Sequence, residues 1–283
     1  GQAGLRSEKK MMESILIATD GSEAAHAAER YGVSLAKRLR ARVVGLTVIE
    51  ERWSQLLRAN ASGVPSPPLE PVEAFLRSRA EAALRRLGDL SRSHGVDCNT
   101  DTLRGIADDR IVERAHNTDL TVIGRDGISA PSRSALIGST ADGVLRKSTK
   151  PVIVVPRGAE PGGGIVLGFD GSPGSRIAAK VGIECAKRLG QMLHVFVDSK
   201  DKGRAVTRFD EMRRMLSPSE LTIREVSSTL GRPDVKIVDA ARASGSGLIA
   251  IGAFGRNRIN EYFIGSNSAS VVRSSPVAVL LAR

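Results

Sequence analysis

Aromatic residues are scarce in this chain of 283 residues: they make up 3% of it and include a single tryptophan. Its cores must therefore be built from Ala, Val, Ile and Leu, which suits helices laid on a parallel sheet. Cysteine is scarcer still. Cys98 and Cys185 share no metal-ligand or redox spacing, and so small a number suits a reducing cytoplasm. No apolar run approaches the roughly 18 residues of a spanning helix, so no membrane is expected as a partner. The N-terminus lacks the apolar stretch of a signal peptide, and residues 1–11 read as a polar tail added outside the fold. His26, His94, His116 and His194 share no ligand spacing, so neither a metal site nor a histidine-based catalytic group is expected. G-x-S-x-G, the Walker lysine motif and H-E-x-x-H are all missing.

Acidic charge is in deficit, with 31 Asp and Glu against 42 Lys and Arg, a formal balance of +11. Such a balance attracts polyanions. Yet Arg77, Arg79, Arg85 and Arg86 alternate with Glu73, Glu81 and Asp89 at helical spacing, as on a solvated helix face. No run of five basic residues and no interleaved aromatics are present to stack bases, so nucleic acid is not an expected partner.

What the chain does have is two copies of one unit. The stretch from Ser14 to Asp20-Gly21-Ser22 recurs, 150 residues on, as Gly164 to Asp170-Gly171-Ser172. Ala36-Lys37-Arg38-Leu39 recurs at the same offset as Ala186-Lys187-Arg188-Leu189. Val122-Ile123-Gly124-Arg125-Asp126-Gly127 matches Ala250-Ile251-Gly252-Ala253-Phe254-Gly255, and Lys150-Pro151-Val152 matches Ser275-Pro276-Val277. At the Gly124–Gly252 match the offset is 128, so the second copy has lost 22 residues before that point. Two domains follow, 12–156 and 164–283, joined by a Gly-rich linker at 157–163 that its composition makes flexible.

Within the first copy, Ile15–Thr19 is a short continuous apolar run that reads as a buried parallel strand, and Arg42–Ile49, Asp97–Leu103, Leu120–Ile123 and Val152–Val155 read as the further strands. Ser22 is placed to cap a helix that runs to about Leu39, and Ser172 does the same with Pro173 at the first helical position. Leu76, Ala80, Ala83, Leu84, Leu87 and Leu90 make a helical stripe. Helices are also predicted at Asp108–Asn117 and Ser139–Lys147, and in the second copy around Arg204–Leu216. Glu50–Pro71, with Trp53 and Pro65-Ser66-Pro67-Pro68, is too rich in Pro, Gly and Ser for a regular element. The alternation of strand and helix means an α/β fold, a parallel sheet with helices on both faces. Each copy ends on an apolar edge strand, and two such edges can pair with each other as an internal two-fold.

Ligands of open parallel sheets sit beyond the carboxyl ends of the strands, where the strand order reverses. Asp170-Gly171-Ser172, the strand end near Val197 and the glycine loop Gly252–Gly255 converge there. An Asp at a strand end serves either a ligand or its own turn, and by itself it does not choose. Gly265-Ser266-Asn267, opening a helix, adds backbone N–H groups and the positive end of a helix dipole for a phosphate.

Strand-Asp-Gly-Ser combined with G-x-x-G, nine residues and G-S resembles the universal stress protein family in its tandem form, over residues 12–156 and 164–282. The resemblance implies two Rossmann-like domains, each a five-stranded parallel sheet in the order 3-2-1-4-5, paired through their fifth strands. It also implies ATP as ligand, commonly with Mg. By position, Gly168, Asp170 and Val197 would border adenine and ribose. Ile251 and Gly252 would lie along the sugar and first phosphate, and Gly255, Gly265, Ser266 and Asn267 would hold the phosphates. In the first copy the matching set is Asp20, Val48, Ile123, Gly124, Gly127, Gly138, Ser139 and Thr140. There the spacing is ten rather than nine, with Pro131 inside. The implied role is a cytoplasmic, nucleotide-responsive stress or regulatory protein. Its rivals are an interaction scaffold with one nucleotide site or none, which recruits a protein partner through 50–71 or forms a homo-oligomer, and a slow ATP-hydrolysing or adenylating enzyme. No general base stands out, and related adenylating enzymes carry Ser-Gly-Gly-x-Asp-Ser where this chain has Thr-Asp-Gly-Ser or Phe-Asp-Gly-Ser.

Overall fold

The computed structural model describes residues 12–51, 69–126, 137–216, 221–253 and 264–283. The N-terminal tail, Trp53, the Pro-rich run at 65–68, Gly127, Pro131 and Gly255 lie outside them.

The first half runs β1 (Ser14–Ala18), α1 (Glu23–Leu39), β2 (Arg42–Glu50), α2 (Leu69–Ser93), β3 (Cys98–Gly105), α3 (Ala107–Ala115), β4 (Leu120–Gly124), α4 (Ser139–Lys147) and β5 (Val152–Val155). The second runs β6 (Ile165–Gly168), α5 (Pro173–Leu189), β7 (Leu193–Asp198), α6 (Lys202–Leu216), β8 (Ile223–Ser228), α7 (Pro233–Ser244), β9 (Leu248–Gly252), α8 (Ser266–Ser274) and β10 (Ala278–Ala282). Ser22 and Ser172 cap their helices as expected, each Oγ accepting the N–H three residues on, at 3.2 and 3.1 Å. Several boundaries shift by one or two residues, and one differs in kind. Helix α2 begins at Leu69 and takes Pro71 into its first turn, where the N–H that proline lacks would have had no helical partner.

The strands form one ten-stranded sheet in the order β3-β2-β1-β4-β5-β10-β9-β6-β7-β8. Each half is parallel and in the expected 3-2-1-4-5 order. The two apolar edges meet at an antiparallel seam, with Val154 opposite Val279 and Val152 opposite Leu281. Because side chains alternate across a strand, the core is two layers, one per face. Ile15, Ile17, Ile153, Leu167 and Leu280 share one layer; Leu16, Val152, Val154, Val166 and Leu281 share the other. Both layers cross the seam, so the halves share their cores instead of merely touching.

Helices α1 and α5 cross the same axis and cap each other. Arg38 donates to the carbonyl of Leu189, and Arg188 donates to that of Leu39. These are equivalent residues of the two copies, which makes the pseudo-two-fold explicit. The Gly-rich connection is packed, contrary to what its composition suggests. Ala159 is buried in the first layer, and the N–H of Gly247 donates to Gly162 at 3.1 Å.

His194, on β7, is buried, and desolvation followed by the charge of Arg224 pushes its pKa down. The unfolded chain therefore binds a proton on this residue more readily than the folded one. Stability is expected to fall as the pH drops below about 6.5, the ordinary histidine value. Urea unfolding at pH 7.5 and pH 5 checks this: His194→Gln should flatten the difference.

Candidate functional site

Neighbouring strands β6 and β9 are followed by connections that leave to opposite sides of the sheet, which opens a crevice at their carboxyl ends. A cavity of about 710 Å³ fills it, within the range of small-molecule sites. Gly168, Asp170, Val197, Ile251, Gly252, Gly265, Ser266 and Asn267 all line it. These are the sequence-derived residues of the second half except Gly255, which lies outside the described residues.

Each wall has a local cause. Asp170 ends its strand with an Asx turn, its Oδ1 accepting the N–H of Ser172 at 2.8 Å. Asp20 does the same with Ser22 at 2.9 Å. The turn role thus holds for both aspartates and engages one carboxylate oxygen of each. Gly171, at φ +74°, lets Arg208 of α6 lie over the turn where a Cβ would collide with its guanidinium. Arg208 is held by Glu211, which also takes Arg176 at 2.6 Å. Those guanidinium bonds, from Arg176 first, hold the Glu211 carboxyl below the usual range.

At the far wall, α8 starts at Gly265 with no side-chain cap. The Gly265 N–H is spent on the carbonyl of Ala253 at 2.9 Å, and Ser268 Oγ donates to Gly252 at 2.8 Å. These two bonds pin the helix start to the end of β9. Among the described residues no side chain caps the first-turn N–H groups of Ser266 and Asn267 at the cavity edge, an arrangement that favours an anion. Asp234, from α7, accepts Ser270 Oγ at 2.9 Å. Burial would raise its pKa, but hydrogen bonds from Ser270 and Arg232 outweigh burial and leave it low.

Phe196, Asp198, Lys200, Arg204, Arg208 and Asp234 also line the cavity and were not found by sequence reasoning. Only Arg204 and Arg208, one helical turn apart, carried a signal. Lys200, Arg204 and Arg208 line the cavity together with Asp170, Asp198, Asp201 and Asp234, which gives it both donors for an anion and acceptors for hydroxyls or amines. Among the described residues no three His, Cys, Asp or Glu side chains are grouped to hold a metal ion. A divalent ion at this site would depend mainly on the ligand's own oxygens.

In the first half, Asp20, Ile123 and Gly124 sit on the ends of the adjacent β1 and β4, and Gly138, Ser139 and Thr140 open α4. The extra residue has not displaced that opening. Gly138 has φ −58° and ψ 146° against −57° and 144° for Gly265, and its N–H donates to Arg125 at 2.8 Å. Val48 needs a correction as the partner of Val197. The strand register aligns Val43 with Leu193, so Val48 matches Asp198 and the equivalent of Val197 is Thr47. Thr47 is buried and donates to Thr19 at 2.9 Å. This half also buries Glu29, which accepts Thr19 Oγ1 at 2.5 Å and Arg86 Nη2 at 2.6 Å.

Comparison with known proteins follows the same two-part outline. The universal stress protein family model matches residues 11–156 and again 164–283. A universal stress protein of Mycolicibacterium smegmatis is 26% identical over 235 residues, spanning 76% of this chain and 79% of the relative. One from Synechocystis is 23% identical over 96% of this chain and all of the relative. Among solved structures, a universal stress protein from Archaeoglobus fulgidus superposes with a TM-score of 0.78 at 19% identity, covering 96% of this chain and 98% of the other. At that identity the likeness speaks for the fold.

Proposed function

Because the chain belongs to the universal stress protein family, as two of its domains in tandem, we propose that its second half binds an adenine nucleotide, ATP with a divalent ion. On this reading the protein acts as a nucleotide-responsive regulator. The observation that carries the reading is the convergence of Asp170, Val197, Gly252, Gly265, Ser266 and Asn267 on one cavity beside an uncapped helix start. Gly168, Asp170 and Val197 would border the base and ribose, and Ile251 and Gly252 the sugar and first phosphate. The amides of Ser266 and Asn267, in the turn opened by Gly265 and with Gly255, would hold the phosphates. In the first half, the conserved geometry of Gly138 supports a second site built from Asp20, Gly124, Gly138, Ser139 and Thr140.

The test is calorimetry with Mg-ATP on the wild type and Ser266→Asp. Ser266 is exposed at the first position of α8, where an aspartate favours the helix. The same charge would repel a phosphate, so binding in the second half is expected to weaken about ten-fold or more while the melting temperature holds or rises. Wild-type protein that takes up no adenine nucleotide, or a variant that binds as well as wild type, would sink the reading.

A further inference from the structure

The two sites are tied to each other by arginines that cross the seam. Arg125 directly follows Gly124 in the first half, and its backbone carbonyl accepts the N–H of Gly138, the residue that opens α4. Its guanidinium points the other way. Nη1 donates to the carbonyls of Arg273 and Ser275, at 3.2 and 2.9 Å, at the end of α8. The side chain is 10% exposed and beside Asp126 at 3.5 Å, so it is held in place by burial and charge together. A cation there satisfies carbonyls that the helix leaves open and opposes its dipole.

A return path exists by a different route. The N–H of Gly265 donates to Ala253, and that of Ala253 to Ala282. The next residue, Arg283, donates to Leu145 in the last turn of α4 at 2.5 Å. Each phosphate-facing helix therefore starts on its own half and is held at its far end by an arginine of the other. The residue equivalent to Arg125 in the second half is Ala253, so the tie from loop to helix is direct in one direction only.

We propose that Arg125 of the first half is a positioning residue for the ligand cavity of the second, setting the placement of α8 and hence of the Ser266 and Asn267 amides. The proposal rests on the nucleotide reading above. Hydrogen exchange and Mg-ATP calorimetry on wild type, Arg125→Met and Arg125→Lys test it. Arg125→Met is expected to speed exchange in α8 selectively and to weaken second-half binding by about three- to ten-fold. Arg125→Lys keeps the charge and should recover part of both, and it reads the same quantities should Arg125→Met fail to fold. A purely structural role would instead raise exchange evenly along β5 and β10 and leave the affinity alone, which overturns the proposal. Unchanged α8 exchange overturns it too. Wild type without nucleotide binding would remove the functional reading, and the α8 exchange result would still decide whether the tie exists.

Discussion

Gly252→Val is expected to be the most damaging single change at the site. A Cβ at this position would lie 2.6 Å from the carbonyl carbon of Gly174 and 2.7 Å from the nitrogen of Ser175. Both are backbone atoms of the first turn of α5, so no side chain can rotate away to make room. Either the helix lifts from the sheet or β9 is displaced, at a cost of about 3 kcal/mol or more. The equivalent glycine of the first half is a built-in control. A Cβ on Gly124 meets its nearest atom, the Ala24 carbonyl oxygen, at 3.3 Å. Gly124→Ala should cost about 1 kcal/mol, and Gly252→Ala clearly more. Chemical unfolding of the three variants measures this directly. Equal losses at the two glycines would show that the close approach of α5 to β9 does not govern the second half.

The second large effect is expected at Glu29. Its side chain is 2% exposed and is satisfied by Thr19 and by two nitrogens of Arg86. Arg86→Met removes the counter-charge and leaves a buried carboxylate with one hydroxyl. Breaking such a pair from one side costs about 3–5 kcal/mol; with Arg86 itself 38% exposed, water offsets part of that, and about 3 kcal/mol is expected. Replacing both members by apolar residues, as in Glu29→Met with Arg86→Met, should recover most of the loss, because no charge is then stranded. The second half already shows an apolar solution, with Phe169 and Ala179 at the positions of Thr19 and Glu29, both buried. A melting temperature for Arg86→Met within a degree or two of wild type would refute the argument. The pair is a structural feature of the first half, and its presence beside the Asp20 turn is one way the two copies have diverged.

How much of this was legible beforehand depended on the range of the interaction. The helix caps at Ser22 and Ser172 and the bounds of α4 and β5 were read correctly, since they rest on contacts within a few residues. The start of α2 was misplaced because proline was taken to exclude a helix, whereas the first turn tolerates it. Val48 stood as the counterpart of Val197; the strand register, which no local pattern encodes, makes it the counterpart of Asp198. The linker's glycines signalled freedom, yet Gly163 sits so close to the carbonyl of Gly245 that the absence of a side chain there serves packing.

By itself the sequence determined the repeat, the alternation of strand and helix, the apolar character of the two last strands and the glycine spacings of both loops. These follow from periodicity and from what glycine, proline and serine do to a backbone; the strand order and the roles given to most of the cavity's inner wall came from the family resemblance that they carry. Only the tertiary structure decided that the extra residue of the first loop leaves Gly138 in the same geometry as Gly265. It also brought Arg204 and Arg208 to the cavity, by way of a connection shortened relative to the first copy. Arg125, an unremarkable residue in a glycine loop, was joined to the far end of a helix 148 residues away. The physical reason is common to all three. Each depends on where the sheet's seam and strand register set one backbone against another, and that placement is a property of the assembled layers, not of any one segment.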